Sequence, residues 1–286
     1  MKLLRGVELK EYTSFRIGGR AEYFAEAADV LQLQNAYALC GGNAVILGGG
    51  SNVLISDRGI KGAVLRLRPG EIVLQDAAAV CYAGTSLSAL ARFYEKHGFS
   101  DFAWAAGIPG TVGGACIMNA GAFGCEIKDS LLWAEVLRKG EIIRLTHAAC
   151  GFSYRASAFL PDDVVVRAAF GCTQGEPAEI AALRARYKAF RLSTQPSGFS
   201  AGSVFKAAIC PQTQASKPAG WFIEKAGLKG ARIGGAAVSQ KHANFILNTD
   251  NAKASDVAAL IRLVKAGVYA EFGVKLCEEI KFLGEF

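Results

Sequence analysis

The chain has 286 residues, 51% of them apolar and 20% charged, a balance that excludes intrinsic disorder and supplies enough apolar surface for a large core. Its net charge of +7 suits an anionic partner, yet no block of like charges marks a nucleic-acid arm, and none is expected to bind. No run of about 18 apolar residues occurs and the opening residues 1–11 lack an apolar core, so neither a membrane span nor a secretory signal is read.

The elements follow in chain order. Residues 29–40 read as a helix capped by Asp29, with apolar positions at Val30, Leu33, Ala36, Tyr37 and Cys40 and a stop at Gly41. Residues 44–47 form a short buried strand running into Gly48-Gly-Gly-Ser-Asn52, and 63–67 form another. Strands are predicted at 71–75 and 79–83, then a helix from Thr85 or Ser86 to His97, closed by Gly98. Strands at 131–138, 141–145 and 164–170 precede a long helix over 177–190. Ser193-Thr-Gln-Pro-Ser-Gly198 is loop chemistry and a domain boundary. Beyond it come a strand at 203–206, a helix at 219–226, a strand at 244–247, a helix at 255–271 and a last strand at 276–283. The pattern is α+β.

Cysteines stand at 40, 81, 116, 125, 150, 172, 210 and 277, with no C-x-x-C pair. Reduced thiols in a cytoplasmic protein are expected. His97, His147 and His242 lie far apart, so no metal site is read.

Two glycine-rich segments carry the chemistry. Gly48-Gly49-Gly50-Ser51-Asn52 follows a strand; it reads either as a tight turn or as a phosphate cradle of backbone N–H groups. It is neither a dinucleotide fingerprint, since Val53 stands where the third glycine belongs, nor a P-loop, since no Gly-Lys pair exists in the chain. Residues 107–124 hold six glycines, at 107, 110, 113, 114, 121 and 124, each costing conformational entropy on folding. Pro109 and Thr111 suggest a turn feeding a helix near 111–118, whose N-terminus would suit a pyrophosphate. Together the segments suggest one large dinucleotide. Gly198-Phe-Ser200-Ala-Gly202 matches the hydrolase elbow G-x-S-x-G, but no helix pattern follows it and no Asp lies between Ser200 and His242.

Several segments in order resemble the UDP-N-acetylenolpyruvoylglucosamine reductases, flavoproteins of peptidoglycan precursor synthesis. They are Thr13-Ser-Phe-Arg-Ile-Gly-Gly19, Gly48–Leu54, Ala106–Ala115, Asn119-Ala-Gly121, Tyr154-Arg-Ala-Ser157, Ala201-Gly-Ser-Val-Phe-Lys206, Ala226–Gly230, Lys241–Ile246 and Glu279-Ile280. The resemblance implies the two-subdomain fold of FAD-linked oxidases over 1–192 (about 1–65 and 66–192). It implies an α+β substrate-binding domain over 193–286, whose last strand returns to the active site. Non-covalent FAD, NADPH as reductant and a nucleotide-sugar substrate follow from it; an oxidase of the same fold acting on another substrate is the alternative. The chain looks like the shorter class, without an extra tyrosine-bearing loop. No oligomeric state is predicted.

Reducing an enolpyruvyl C=C needs hydride on one carbon and a proton on the other. Charge develops as an enolate, which calls for a cation and donors at the carboxylate and an acid near the α carbon. By resemblance, Ser203 is the proton donor, Arg155 stabilises the enolate and Glu279 bonds the intermediate or a proton relay. Gly48, Gly49, Gly50, Ser51, Asn52, Gly107, Ile108, Pro109, Gly110, Thr111, Gly113, Gly114, Asn119 and Gly121 are the implied cofactor contacts. Tyr154, Arg191, Lys206 and His242 are the implied substrate contacts. The chain departs from the family at Tyr12, at Ala207-Ala208 after Lys206, and at Cys277-Glu278, which leaves Glu278 as the fallback for Glu279.

Overall fold

The computed structural model describes residues 2–286, which form two compact units. The first takes the residues up to Arg5, Tyr23–Gly49 and Gly62–Arg191; the second takes Gly6–Glu22, Gly50–Lys61 and Leu192–Phe286. The C-terminal unit therefore begins near the boundary read from the loop chemistry at 193–198, but it also draws in two N-terminal segments that the division 1–192 and 193–286 leaves out. The reason is apolar. Phe15, Ile17 and Leu54 from those segments are buried in the same core as Phe222, Leu260 and Val264.

In the first part of the chain, β1 (Leu4–Glu8), β2 (Arg20–Ala27), β3 (Ala44–Leu47) and β5 (Ile60–Leu67) form one sheet, in the order β1-β2-β5-β3. Strand β4 (Val53–Ile55) lies outside it. Helix α1 (Val30–Leu39) starts where Asp29 accepts the Gln32 N–H at 2.8 Å. A five-stranded antiparallel sheet contains β6 (Ile72–Gln75), β7 (Ala78–Tyr82), β10 (Leu131–Arg138), β11 (Glu141–Thr146) and β12 (Val164–Gly171), in the order β11-β10-β12-β7-β6. Between β7 and β10 come α2 (Leu87–Lys96), α3 (Val112–Met118) and the small hairpin β8 (Gly121–Ala122) with β9 (Cys125–Glu126). Helix α4 (Pro177–Thr194) runs four residues past its expected end at 190, because Leu192, Ser193 and Thr194 bring no glycine or proline to stop it.

The hairpins β6–β7, β8–β9 and β10–β11 turn through Asp76-Ala77, Phe123-Gly124 and Lys139-Gly140, all six residues with positive φ. These are the mirror-image turns that match strand twist. The core of this unit is aromatic. Phe102 packs edge-on to Tyr94 at 4.7 Å and to Phe170 at 5.0 Å, and the Tyr94 hydroxyl donates to Gly171 O.

In the second unit β4 pairs in parallel with β18 (Lys281–Leu283), so the C-terminus lies beside the end of the Gly48–Asn52 loop. Helices α5 (Ala219–Lys225) and α6 (Ala254–Phe272) pack around Val257, Leu260, Ile261, Val264 and Val268, one helical stripe. Asp57 caps α6, accepting the N–H groups of Ala254 and Ser255 at 2.7 and 3.0 Å. The hairpin β13 (Ala208–Ile209) with β14 (Ser216–Lys217) and the sheet β15 (Arg232–Ile233), β16 (Ala236–Val238), β17 (Ile246–Asn248) complete it. Two expected strands are corrected. Residues 203–206 make single bridges, Ser203 to Phe245 and Phe205 to Glu278, rather than a ladder. Of 276–283 only Lys281–Leu283 is strand. Among the described residues no helix is long and apolar enough to cross a membrane.

Candidate active site

The glycines of the first loop have individual reasons. A Cβ on Gly48 would lie 2.6 Å from Thr111 Oγ1, and one on Gly49 would lie 2.9 Å from Gly110 Cα. The two glycine segments therefore touch, and side chains are excluded there by the neighbouring backbone. Gly50 has φ +61° and a Cβ on it would strike the Tyr12 carbonyl oxygen. Glycine identity thus reports packing; what remains for a ligand is the set of donors. Among the described residues the N–H groups of Gly49, Gly50 and Ser51 have no hydrogen-bond acceptor.

The N-terminus of α3 differs from its expected role. Val112 N–H donates to Thr85 O at 2.8 Å, Gly113 N–H to Ala83 O at 2.9 Å, and Gly114 N–H to Thr111 Oγ1 at 3.5 Å. The first turn is satisfied inside the protein, so any donors of this segment toward an anion come from the turn at Gly107–Thr111 before the helix. Ile108 N–H is already used on Ala105 O.

Asn119 is bonded within the protein. It is fully buried, and its amide donates to Glu126 Oε2 at 2.9 Å and to Ser153 O at 3.0 Å while accepting from Lys128 N–H. Both of its amide hydrogens are spent inside the protein. It holds the turn that carries Tyr154 and Arg155, closed by the paired hydrogen bonds between Ser153 and Ala156. Arg155 sits at φ +52°, a region costly for an ordinary side chain and tolerated where the surroundings impose it. Its Nη2 donates to Gly121 O at 2.6 Å, its Nη1 to Asn119 O at 3.3 Å, and Glu126 Oε1 lies 3.5 Å away. Tyr154 beside it is half exposed. Arg191 lies against Gly107, its Nε 3.8 Å from where a Cβ would stand. Burial holds its guanidinium below its ordinary pKa, and among the described residues it has no hydrogen-bond or ion-pair partner.

The second unit gathers residues from distant parts of the sequence. Ser14 donates its hydroxyl to Ser200 O at 2.7 Å and its N–H to Gly50 O at 3.1 Å, tying residue 200 to the glycine loop. In the sequence Ser14 carries no signal beyond its place in Thr13–Gly19. Gly202 has φ +74° and faces the Ser51 carbonyl. Asn52 Nδ2 donates to Glu279 O at 3.1 Å, and Lys281 N–H to Asn52 O at 2.9 Å. Glu279 N–H donates to Val204 O at 2.7 Å, and Lys206 N–H to Cys277 O at 2.9 Å. The Glu279 segment is thus bonded to the loop on one side and to the Ser203 segment on the other. No residue among the described ones takes or gives a hydrogen bond at Ser203 Oγ. Glu278 is committed elsewhere, its carboxylate 2.7 Å from Lys265 Nζ.

His242 is half-buried, and burial pushes its pKa below the ordinary value. Its Nδ1 accepts the Asn244 N–H at 3.2 Å and its ring meets Phe245 edge-on. The G-x-S-x-G motif is no elbow, because bridges rather than a helix follow Ser200. Among the described residues no cluster of His, Cys, Asp and Glu is arranged to hold a metal.

Residues 21–146 match the family described as an FAD binding domain, and residues 195–283 match the C-terminal domain of UDP-N-acetylenolpyruvoylglucosamine reductase. The reductase of Trichormus variabilis is 42% identical over 97% of this chain and 85% of its own. That of Rubrobacter xylanophilus is 38% identical over 97% of this chain and 94% of its own. The crystal structure of the Thermus caldophilus reductase superposes with a TM-score of 0.85 at 33% identity, covering 99% of this chain and 100% of that one.

Proposed function

The chain belongs to the UDP-N-acetylenolpyruvoylglucosamine reductase family, and from that membership we propose that it is an FAD-dependent oxidoreductase. It reduces the enolpyruvyl ether of UDP-N-acetylglucosamine to UDP-N-acetylmuramate with NADPH, in peptidoglycan precursor synthesis. The oxidase alternative is not favoured, since the relatives matching nearly the whole chain are reductases. When bound, FAD would supply the hydride chemistry between NADPH and the enolpyruvyl double bond. The Gly48–Asn52 loop fits its pyrophosphate, because the Gly49, Gly50 and Ser51 N–H groups are unspent donors. Gly107–Thr111 would flank the flavin.

The remaining steps belong to side chains. Hydride on the terminal carbon leaves an electron pair on the carbon α to the carboxylate. Ser203 gives its hydroxyl proton to that carbon, so one hydride and one proton add across the bond. A serine is a weak acid, and Lys206, three residues on, polarises it. Arg155 meets the enolate carboxylate with a planar fork. Glu279 bonds the intermediate or relays a proton. Tyr154 and His242 contact the nucleotide sugar, and Arg191 serves an anion. Helix α4 ends at Thr194, shortly before Ser203, which supports the shorter class. NADPH and nucleotide sugars place the reaction in the cytoplasm, and no nucleic acid is involved.

The observation that carries this reading is the pair of bonds linking Asn52 to Glu279 and Glu279 to Val204. They join the Gly48–Asn52 loop, the main chain of Glu279 and the segment that carries Ser203. The test is an anaerobic visible spectrum. NADPH should bleach the flavin, and the enolpyruvyl nucleotide sugar should restore it. Recovery with oxygen but not with that substrate would refute the assignment.

A further inference from the structure

We propose that Asn244 is a positioning residue for the proton donor Ser203, holding the Ser203–Lys206 segment in the place where a neighbouring strand would be. The proposal rests on Ser203 having the role given above. It starts from an incomplete sheet. One edge of the segment is bonded by the main chain of residues 277–279: Val204 O accepts from Glu279 N–H, and Lys206 N–H donates to Cys277 O. On the other edge, among the described residues, no strand pairs with Phe205, which is 2% exposed. A buried peptide without partners is unfavourable.

Asn244 supplies both partners. Its Oδ1 accepts the Phe205 N–H at 3.0 Å and its Nδ2 donates to Phe205 O at 2.8 Å. Its own carbonyl accepts the Val204 N–H at 2.8 Å. A side-chain amide is the one group that reproduces a peptide's donor and acceptor together. Three bonds from one residue therefore fix the three successive peptides from Ser203–Val204 to Phe205–Lys206, and with them the direction of Oγ. Asn244 is itself fixed. It is 6% exposed, and its N–H is bonded to His242 Nδ1 at 3.2 Å. Asn244 reaches no reacting atom; it acts through Ser203.

Asn244→Asp is the sharp variant, being nearly isosteric. The carboxylate still accepts from Phe205 N–H but opposes Phe205 O with a second acceptor. In stopped-flow experiments on the flavin-loaded protein, reduction by NADPH should stay within about twofold of the parent, while reoxidation by the enolpyruvyl substrate slows about 10- to 100-fold, the range for a misplaced reacting group. The Ser203→Ala, Asn244→Asp double variant should be no slower than Ser203→Ala alone, because residues acting as one unit are non-additive. If the Asp variant yields no flavin-loaded protein, Asn244→Ala is read by the same criteria. Equal slowing of both half-reactions, multiplicative effects in the double variant, or parental reoxidation in Asn244→Asp each overturn the proposal. Parental reoxidation in Ser203→Ala removes the serine from its role, and the positioning proposal falls with it.

Discussion

Arg155→Lys isolates geometry from charge. Both side chains are cationic and both pay the same backbone cost at φ +52°, so the fold is not the variable. Arg155 uses two nitrogens at once, Nη2 on Gly121 O at 2.6 Å and Nη1 on Asn119 O at 3.3 Å. A lysine has one nitrogen on a flexible stem, so it reaches one of these carbonyls or Glu126, and it cannot present a planar pair of donors to a carboxylate. Losing one charge-assisted hydrogen bond in the transition state costs about 1.5–3 kcal/mol, which is about 10- to 150-fold in rate. Stopped-flow reoxidation of the reduced enzyme by the enolpyruvyl substrate should slow by that factor. Flavin reduction by NADPH, which does not use the substrate carboxylate, is the internal control. Reoxidation within about threefold of the parent would refute the enolate-binding role, since general electrostatics would then be sufficient.

The Tyr82 hydroxyl is buried without a partner among the described residues, so Tyr82→Phe should stabilise the protein by about 1 kcal/mol in guanidinium unfolding; a loss of that size would reveal a missed partner. Gly50→Ala places a Cβ against the Tyr12 carbonyl and 2.8 Å from Thr13 Cα at a left-handed φ. It should cost at least ~2 kcal/mol and weaken FAD binding, and an unfolding midpoint equal to the parent's would contradict this. His242 titrates lower in the fold than its ordinary value, from burial first, so the folded state binds fewer protons than the unfolded one. Stability from this group is full above about pH 6.5 and is lost as pH falls through the depressed pKa. His242→Gln should flatten that acid limb in thermal melts, and parallel curves would sink the assignment.

Much of the α-helical and sheet framework was readable because the signals are local. Asp29 and Ser86 cap the helices expected from them, accepting the N–H groups of Gln32 and Ala89, and the apolar stripe of α6 follows helical spacing. The misreadings lie where partners are distant. The alternation at 203–206 suggested a strand, but one edge is bonded by residues 277–279 and the other by an asparagine side chain. No local pattern encodes a side chain standing in for a strand. Residues 6–22 and 50–61 likewise look like part of the first domain until Phe15 and Leu54 find their core with Leu260.

The glycine segments show how packing can account for a sequence signal that reads as ligand binding. Their density suggested backbone approaching a ligand. Yet Gly48 and Gly49 are glycine because Thr111 and Gly110 lie against them, and Gly113 meets Ala83, with a Cβ there falling 2.9 Å from the Ala83 Cβ. Packing alone therefore accounts for those three residues, and replacing them tests the fold before it tests a ligand. The ligand argument rests instead on which N–H groups remain unbonded after the packing is satisfied. By that criterion Gly49, Gly50 and Ser51 qualify, and Val112, Gly113 and Gly114 do not. The distinction is measurable. Gly113→Ala should lower the unfolding midpoint of the FAD-free protein. Ser51→Pro, which deletes one N–H from the loop, should weaken FAD binding by at least about tenfold, one lost hydrogen bond to an ionised group. Unchanged FAD affinity in Ser51→Pro would remove the loop from the pyrophosphate.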